Sequence, residues 1–178
     1  MIKRLVFVIM ILSFFSNSSA NYHKLAYDFN FKGLDGNQID LKTYNNKVIV
    51  VVNVASRCGY TPQYNDLQKL STEYKNELVV IGVPTNNFKQ EPKNNAEIKE
   101  FCETNFGITF PMSEKVDVIG NNAHPFFKWA KKNHGIAAIP KWNFHKIIIG
   151  KNGKVVDTFA SFTKPTSKKF IKSIEKLI

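Results

Sequence analysis

Cys58 is the residue whose position in this sequence most favours chemistry. It lies four residues beyond a β-branched run, Val48–Val54, and directly before Thr61–Pro62, which predict the start of a helix. The N–H groups and the positive dipole end of that helix stabilise a thiolate, the nucleophilic form of cysteine. A free cysteine is also commonly a small buried hydrophobe. We interpret Cys58 as reactive, because cysteines in loops ahead of helices are poised rather than packed.

The elements around Cys58 follow from hydrophobic patterns and turn residues. Val48–Val54 predicts a buried central strand interrupted only by Asn53, and 78–83 predicts a second one, stopped by Pro84. Leu67, Leu70 and Tyr74 have helical spacing. Three further helices are predicted after Asn94, with Glu97 completing a capping box, after Pro125 and after Pro165. Hairpins are predicted at 29–41 and, through Asn152–Gly153, at 147–156.

This order of strands and helices is that of a thioredoxin-like fold, an α/β class with a central mixed sheet flanked by helices. We expect one such domain over residues 21–178. No internal repeat or linker interrupts it.

Four ordered motifs resemble those of the glutathione peroxidase family, a group of thiol or selenol peroxidases. They are Asn53–Tyr64 around Cys58, Pro84–Pro92 ending in Gln-Glu-Pro, Phe106–Pro111, and Lys141–Phe144, which reads KWNF. The resemblance implies the cysteine form of the enzyme. It also implies a catalytic tetrad of Cys58, Gln90, Trp142 and Asn143, in which amide and indole N–H groups are donors for the sulfur and the departing oxygen. In the Pro84–Pro92 motif the sequence departs from the family pattern at Thr85 and Asn87.

Cys102 is the second cysteine, 44 residues after Cys58. The resemblance implies that it resolves a Cys58 sulfenic acid as a disulfide, which a thioredoxin-like protein then reduces. Such a disulfide requires the helix of Cys102 to unwind locally, since the two Cα atoms must come within about 7 Å. A buried thiol and a static structural disulfide remain alternatives for Cys102, with glutathione as the other donor.

The substrates implied by the resemblance are hydrogen peroxide and organic or lipid hydroperoxides. The short segment 123–142 resembles that of the compact family members, which lack the subunit-interface loop, and this resemblance implies a monomer with an open site. No cofactor is implied, and the four histidines and two cysteines lack the spacing of metal ligands.

Two other functions compete with a peroxidase. A thioredoxin-like exchange protein would normally carry Cys-x-x-Cys, but Thr61 stands at the fourth position. A cysteine hydrolase would pair Cys58 with a histidine, and only His145 lies near a matched motif.

The formal charge of +11 arises from 25 basic and 14 acidic residues. The lysines are scattered and arginine is scarce, so we expect no nucleic-acid binding, and at most weak attraction to anionic lipid surfaces. Lys3 and Arg4, an apolar stretch at 5–15 and the small residues of 16–20 predict a signal peptide over residues 1–20. We therefore expect export, to the periplasm in a Gram-negative bacterium and otherwise by secretion.

Overall fold

The computed structural model describes residues 22–178, which build a four-stranded mixed sheet, a separate two-stranded hairpin and four α-helices. The strands are β1 (Asn30–Lys32), β2 (Gln38–Asp40), β3 (Val48–Val54), β4 (Leu78–Pro84), β5 (Lys146–Ile149) and β6 (Val155–Phe159). The helices are α1 (Gln63–Glu73), α2 (Asn95–Phe106), α3 (Pro125–His134) and α4 (Lys168–Glu175). Short 3-10 helices lie at Ala26–Asp28, Leu41–Tyr44 and Gly135–Ala138.

The direction of each strand brings four connecting segments to one end of the sheet. The strand order is β4-β3-β5-β6, with β3 parallel to β4, β5 antiparallel to β3, and β6 antiparallel to β5. The carboxyl ends of β3, β4 and β6 therefore meet the amino end of β5. We call this edge the loop end of the sheet; it carries residues 55–62, 85–91, 140–145 and 160–163.

The two faces of β3 are packed by different helices. Val48, Val50, Val52 and Val54 face a core that contains buried side chains of α1, α2 and α4. Ile49 and Val51 face a second core that contains α3 and the β1–β2 hairpin. All seven residues of β3 are buried, which is why its sequence is an aliphatic run rather than an alternating one.

Most of the predicted elements are confirmed. β3 has the predicted bounds, and α2 begins with the predicted capping box, in which the Asn94 side chain accepts from the Glu97 N–H at 3.0 Å while Glu97 accepts from the Asn94 N–H. β6 extends to Phe159, beyond the predicted 155–156, because its partly exposed residues Asp157 and Thr158 hide the strand pattern. Leu41, predicted within a hairpin strand, instead begins a 3-10 helix.

Between residues 22 and 178 no helix is both long and apolar enough to cross a membrane. The predicted signal peptide lies outside the described residues.

Replacing Asn94 by Ala should lower the free energy of unfolding by about 1 kcal/mol, because the cap of α2 loses a side-chain acceptor. Urea denaturation of both proteins measures the difference. Asn76→Ala is the matched control, since Asn76 is exposed and its side chain makes no hydrogen bond within the described residues. Equal losses in the two variants would contradict a capping role.

Candidate active site

Cys58 lies in a tight turn between β3 and α1. The Thr61 hydroxyl accepts from the Cys58 N–H at 3.0 Å and donates to the Ala55 carbonyl at 2.9 Å, which folds the turn back over the end of β3. The Cys58 sulfur accepts a hydrogen bond from the Tyr60 N–H at 3.4 Å. The turn therefore presents a backbone donor to the sulfur.

The prediction that Cys58 is poised rather than packed is wrong with respect to burial. Its side chain is only 7% exposed and belongs to the core of α1 and α2. The folded-back turn explains this, because it directs the side chain inward while leaving the sulfur beside the Tyr60 N–H. The sulfur therefore lies in a protected setting, open over a small area.

Gln90 and Asn143 are brought together from two different loops. The Asn143 amide donates to the Gln90 Oε1 at 2.9 Å, and the Gln90 carbonyl accepts from the Arg57 N–H at 3.0 Å, next to Cys58. The Gln90 side-chain NH2 group makes no hydrogen bond within the described residues, so it remains a donor for another molecule. The predicted partners Cys58, Gln90 and Asn143 thus share one end of the sheet.

Trp142 is the most exposed of the four predicted tetrad residues, at 42%. Its ring packs at a tilt against Phe88, with the ring centroids 5.4 Å apart. The Trp142 carbonyl accepts from the Asn53 side chain at 3.1 Å, which holds the loop on the carboxyl end of β3. Its indole N–H has no partner among residues 22–178, so it too remains available as a donor.

A buried carboxylate joins the Cys58 turn to the Gln90 loop. Glu91 is fully buried, and its side chain accepts from the Ser56 N–H at 2.7 Å and from the Ser56 hydroxyl. The Glu91 N–H donates in turn to Asn86 at 3.0 Å. The sequence analysis did not identify Glu91 as a site residue, although it lies in the same Gln-Glu-Pro motif as Gln90.

Cys102 lies in the third turn of α2 and is 2% exposed. It belongs to the same core as Cys58, and both cysteines are free thiols in this structure. Burial raises the pKa of the Cys102 thiol to about 11, while the neighbouring Tyr64 hydroxyl acts in the opposite direction. Cys102 is therefore an unreactive thiol in the folded state at neutral pH.

His145 and Lys146 are buried neighbours at the start of β5. Burial, together with the positive charge of Lys146, lowers the pKa of His145 to about 4, so the imidazole is neutral. Its Nε2 has no hydrogen-bond partner in the described structure, and the bond to the Cys58 sulfur comes from Tyr60. This geometry lacks the Cys–His pair of a hydrolase.

Lys146 is a second residue that sequence reasoning missed. Its side chain is fully buried and donates to the Gln63 Oε1 and to the Thr163 carbonyl, the latter at 2.8 Å. Burial lowers the pKa of Lys146 to about 7, although the charge of Asp66 opposes this. The sequence signal for a buried lysine was its place at the start of an otherwise aliphatic strand, Lys146–Ile149.

The surface around the site is rich in unpaired positive charge. A single ion pair, Lys32–Glu114 at 3.3 Å, occurs between residues 22 and 178. The loop end carries the exposed basic residues Arg57, Lys89 and Lys141. Within the same described residues, no three His, Cys, Asp or Glu side chains are grouped so that they could hold a metal ion.

A thioredoxin-like sheet with a cysteine in the turn between its central strand and the next helix is typical of thiol-based redox proteins. Solved structures agree with this fold. A thiol:disulfide interchange protein of the thioredoxin family from Chlorobium tepidum superposes with a TM-score of 0.60 at 16% identity, covering 83% of this chain and 90% of its own. At that identity the likeness concerns the fold alone.

The chain belongs to the glutathione peroxidase family, because the family model for glutathione peroxidase matches residues 26–131. It is 42% identical over 170 residues to a hydroperoxy fatty acid reductase of Synechocystis, covering 90% of this chain and 99% of that protein. It is 43% identical to a glutathione peroxidase-like peroxiredoxin of Saccharomyces cerevisiae, covering 79% and 90%. The crystal structure of T. cruzi GPX1 superposes with a TM-score of 0.67 at 29% identity, covering 86% and 96%.

The low pKa of Lys146 predicts a specific pH dependence of stability. Between about pH 7 and its ordinary value of 10.5, the unfolded chain holds a proton at this lysine that the folded chain has lost. The free energy of unfolding of the wild type, relative to Lys146→Met, should therefore rise with pH in this window, by up to about 1.4 kcal/mol per pH unit.

Urea denaturation of both proteins at several values between pH 6 and pH 10 measures this dependence. Lys172→Met is the control, since Lys172 is an exposed lysine of α4. A difference between wild type and Lys146→Met that is constant with pH would contradict the shifted pKa.

Proposed function

We propose that the protein is a thiol peroxidase in which Cys58 attacks hydrogen peroxide and organic or lipid hydroperoxides. One observation carries this proposal: the Cys58 sulfur accepts from the Tyr60 N–H while the Asn143–Gln90 pair is held beside the same turn. The Gln90 amide and the Trp142 indole are then donors for peroxide oxygens. None of these donors is basic, so none competes with the thiolate for a proton.

The proposed reaction begins with attack of the Cys58 thiolate on one oxygen of the peroxide. The S–O bond forms as the O–O bond breaks, and the departing alkoxide or hydroxide takes up a proton. Cys58 is oxidised to a sulfenic acid, and the peroxide is reduced to an alcohol or to water. Donors preorganised toward the departing oxygen stabilise the charge that develops on it.

Cys102 is the proposed resolving residue. Its thiol displaces water from the sulfenic acid and forms a Cys58–Cys102 disulfide. The docking of α2 supports the required opening, because only two of its twelve residues, Ile98 and Cys102, are buried. An element with so few buried contacts can open at a lower free energy than the whole domain.

The proposed reductant is a thioredoxin-like protein, which would return both thiols by dithiol exchange with the disulfide. The relatives named as peroxiredoxins support a protein donor over glutathione. If Cys102 does not resolve, glutathione attacks the sulfenic acid directly, and Cys102 is a structural residue.

The rest of the proposal concerns the substrate, the oligomeric state, the location and the physiological role of the protein. We propose that lipid hydroperoxides are substrates, supported by a relative named as a hydroperoxy fatty acid reductase. The exposed basic residues of the loop end support weak attraction to anionic lipid surfaces. We also propose that the protein is a monomer, that it is exported through the segment 1–20, and that it serves in antioxidant defence.

Peroxide turnover by wild type, Cys58→Ser and Cys102→Ser tests the mechanism, with thioredoxin or glutathione as donor. Thioredoxin-supported turnover should vanish in both variants, because each removes one thiol of the disulfide. Cys102→Ser should still form a sulfenic acid, which dimedone labelling followed by mass spectrometry detects.

Two outcomes would contradict this mechanism in different ways. Normal glutathione-supported turnover by Cys102→Ser would show that Cys102 is structural. If the wild type consumes no peroxide with either donor, the protein has the fold of the family but lacks its activity. Cooperative thermal unfolding of each variant is the control for folding.

Alkylation of the reduced protein should distinguish the two thiols. With a pKa of about 11, Cys102 is a thiolate in roughly one molecule in a thousand at pH 8, and it is buried as well. Iodoacetamide should therefore modify Cys58 first and Cys102 at an appreciable rate only in urea, as followed by mass spectrometry. Asn94→Ala, which weakens the cap of α2, should accelerate the slow modification about fivefold. Equal rates at both cysteines in the native wild type would contradict a closed α2.

A further inference from the structure

The segment after β6 presents an aromatic ring at the loop end of the sheet. Ala160 to Thr163 form a turn that is closed by a hydrogen bond from the Thr163 N–H to the Ala160 carbonyl at 3.0 Å. Ser161 is buried, whereas Phe162 is 74% exposed. Trp142 is the other exposed aromatic ring among residues 22–178, and it lies at the same end of the sheet.

Two buried side chains fix this turn from below. The Lys146 side-chain nitrogen donates to the Thr163 carbonyl at 2.8 Å and to the Ser161 carbonyl at 3.4 Å. The Gln63 amide donates to the same Ser161 carbonyl at 2.6 Å, and its oxygen accepts from Lys146. Both neighbours of Phe162 are therefore held on the protein side, which leaves the ring of Phe162 outward.

The same two side chains belong to the elements that carry the proposed catalytic residues. Gln63 is the first residue of α1, five positions after Cys58, and Lys146 is the first residue of β5, three positions after Asn143. The clamp thus gives the turn a fixed position relative to Cys58. A buried lysine with no carboxylate among its hydrogen-bond acceptors is costly to desolvate, so a rigid turn is obtained at some expense of stability.

Sheet geometry sets the spacing between the strand ends from which the Cys58 turn and the Phe162 turn emerge. Cys58 follows β3 and the turn follows β6, while the Trp142 loop precedes β5, which lies between these strands. Two strand spacings amount to about 10 Å. Hydrogen peroxide is too small to span this distance from Cys58, whereas the hydrocarbon chain of an organic hydroperoxide is long enough to do so.

We propose that Phe162 is a contact for the apolar chain of the hydroperoxide substrate, and that Lys146 and Gln63 are positioning residues that hold it there. The proposal rests on the peroxidase function proposed above and adds a selectivity device to it. Under it, the clamp affects long-chain hydroperoxides and leaves hydrogen peroxide unaffected.

The test compares the rate constants with which hydrogen peroxide and linoleic acid hydroperoxide oxidise Cys58 in a single turnover. Dimedone trapping of the sulfenic acid in a Cys102→Ser background, where no disulfide can form, gives the rate without any reductant. Phe162→Ser should slow the reaction of linoleic acid hydroperoxide about fivefold through loss of one apolar contact, and change that of hydrogen peroxide less than twofold. Lys146→Met should act in the same direction, because it frees the Thr163 carbonyl and leaves the Ser161 carbonyl with Gln63 as its one donor.

Controls separate this role from a purely structural one. Val156→Ser removes an exposed apolar side chain at the end of β6 that lies away from the loop end, and should leave both rates unchanged. If Lys146→Met does not fold, Gln63→Met removes one of the two clamping side chains and should show the same selective loss. Phe162 lies on the surface, so its replacement leaves the core intact.

Two results would overturn the proposal. Equal slowing of both peroxides in Phe162→Ser, or no slowing of linoleic acid hydroperoxide, would show that the ring is not a chain contact. If neither peroxide oxidises Cys58 in the wild type, the peroxidase function itself fails, and the proposal fails with it. Oxidation of Cys58 in the wild type therefore distinguishes a failure of the Phe162 proposal from a failure of the peroxidase function.

Discussion

The loop end of the sheet depends on Asn53, a buried amide in an otherwise aliphatic strand. Its side chain donates to the Trp142 carbonyl at 3.1 Å and accepts from the His145 N–H at 3.2 Å, while its own carbonyl accepts from the Phe144 N–H at 2.6 Å. These bonds fix the loop before β5 against the strand that leads to Cys58. They also hold Phe144 at a φ of 64°, a left-handed conformation that costs a non-glycine residue roughly 1–2 kcal/mol.

Polar anchors recur at the other segments of this edge, and the reason is the irregular backbone. Loops that leave the hydrogen-bond ladder carry N–H and C=O groups that need partners when they are buried. Glu91 satisfies the Ser56 N–H, and Lys146 satisfies the carbonyls of the turn after β6. An apolar side chain could fill the same space but could not fix a loop in one position. The edge is therefore held by buried polar side chains, while the strands behind it are held by apolar packing.

Local signals explain which parts of this architecture the sequence predicts. The capping box at Asn94 and the aliphatic run of β3 involve residues that are close in the chain, so the local sequence pattern is enough to predict them. Lys146 is different, because its partners are Gln63 and the turn at 161–163, and no local pattern links them. The same holds for the burial of Cys58, which depends on how Thr61 folds the turn back onto Ala55. The tetrad residues came from family motifs, but their hydrogen-bonded arrangement, such as Asn143 with Gln90, is a property of the assembled loops.

The two cysteines occupy different surroundings within a single core. Both are buried, yet Cys58 lies in a turn where a backbone N–H faces its sulfur, and Cys102 lies in a helix whose own N–H groups bond its own carbonyls. Burial without a compensating backbone donor raises the pKa of Cys102 to about 11. In the proposed cycle this difference sets the order of events, because Cys58 meets the peroxide first while α2 stays closed. Opening of α2 would then expose Cys102 to solvent and allow it to reach the sulfenic acid. In this cycle the stability of a single lightly buried helix controls when the second thiol reacts.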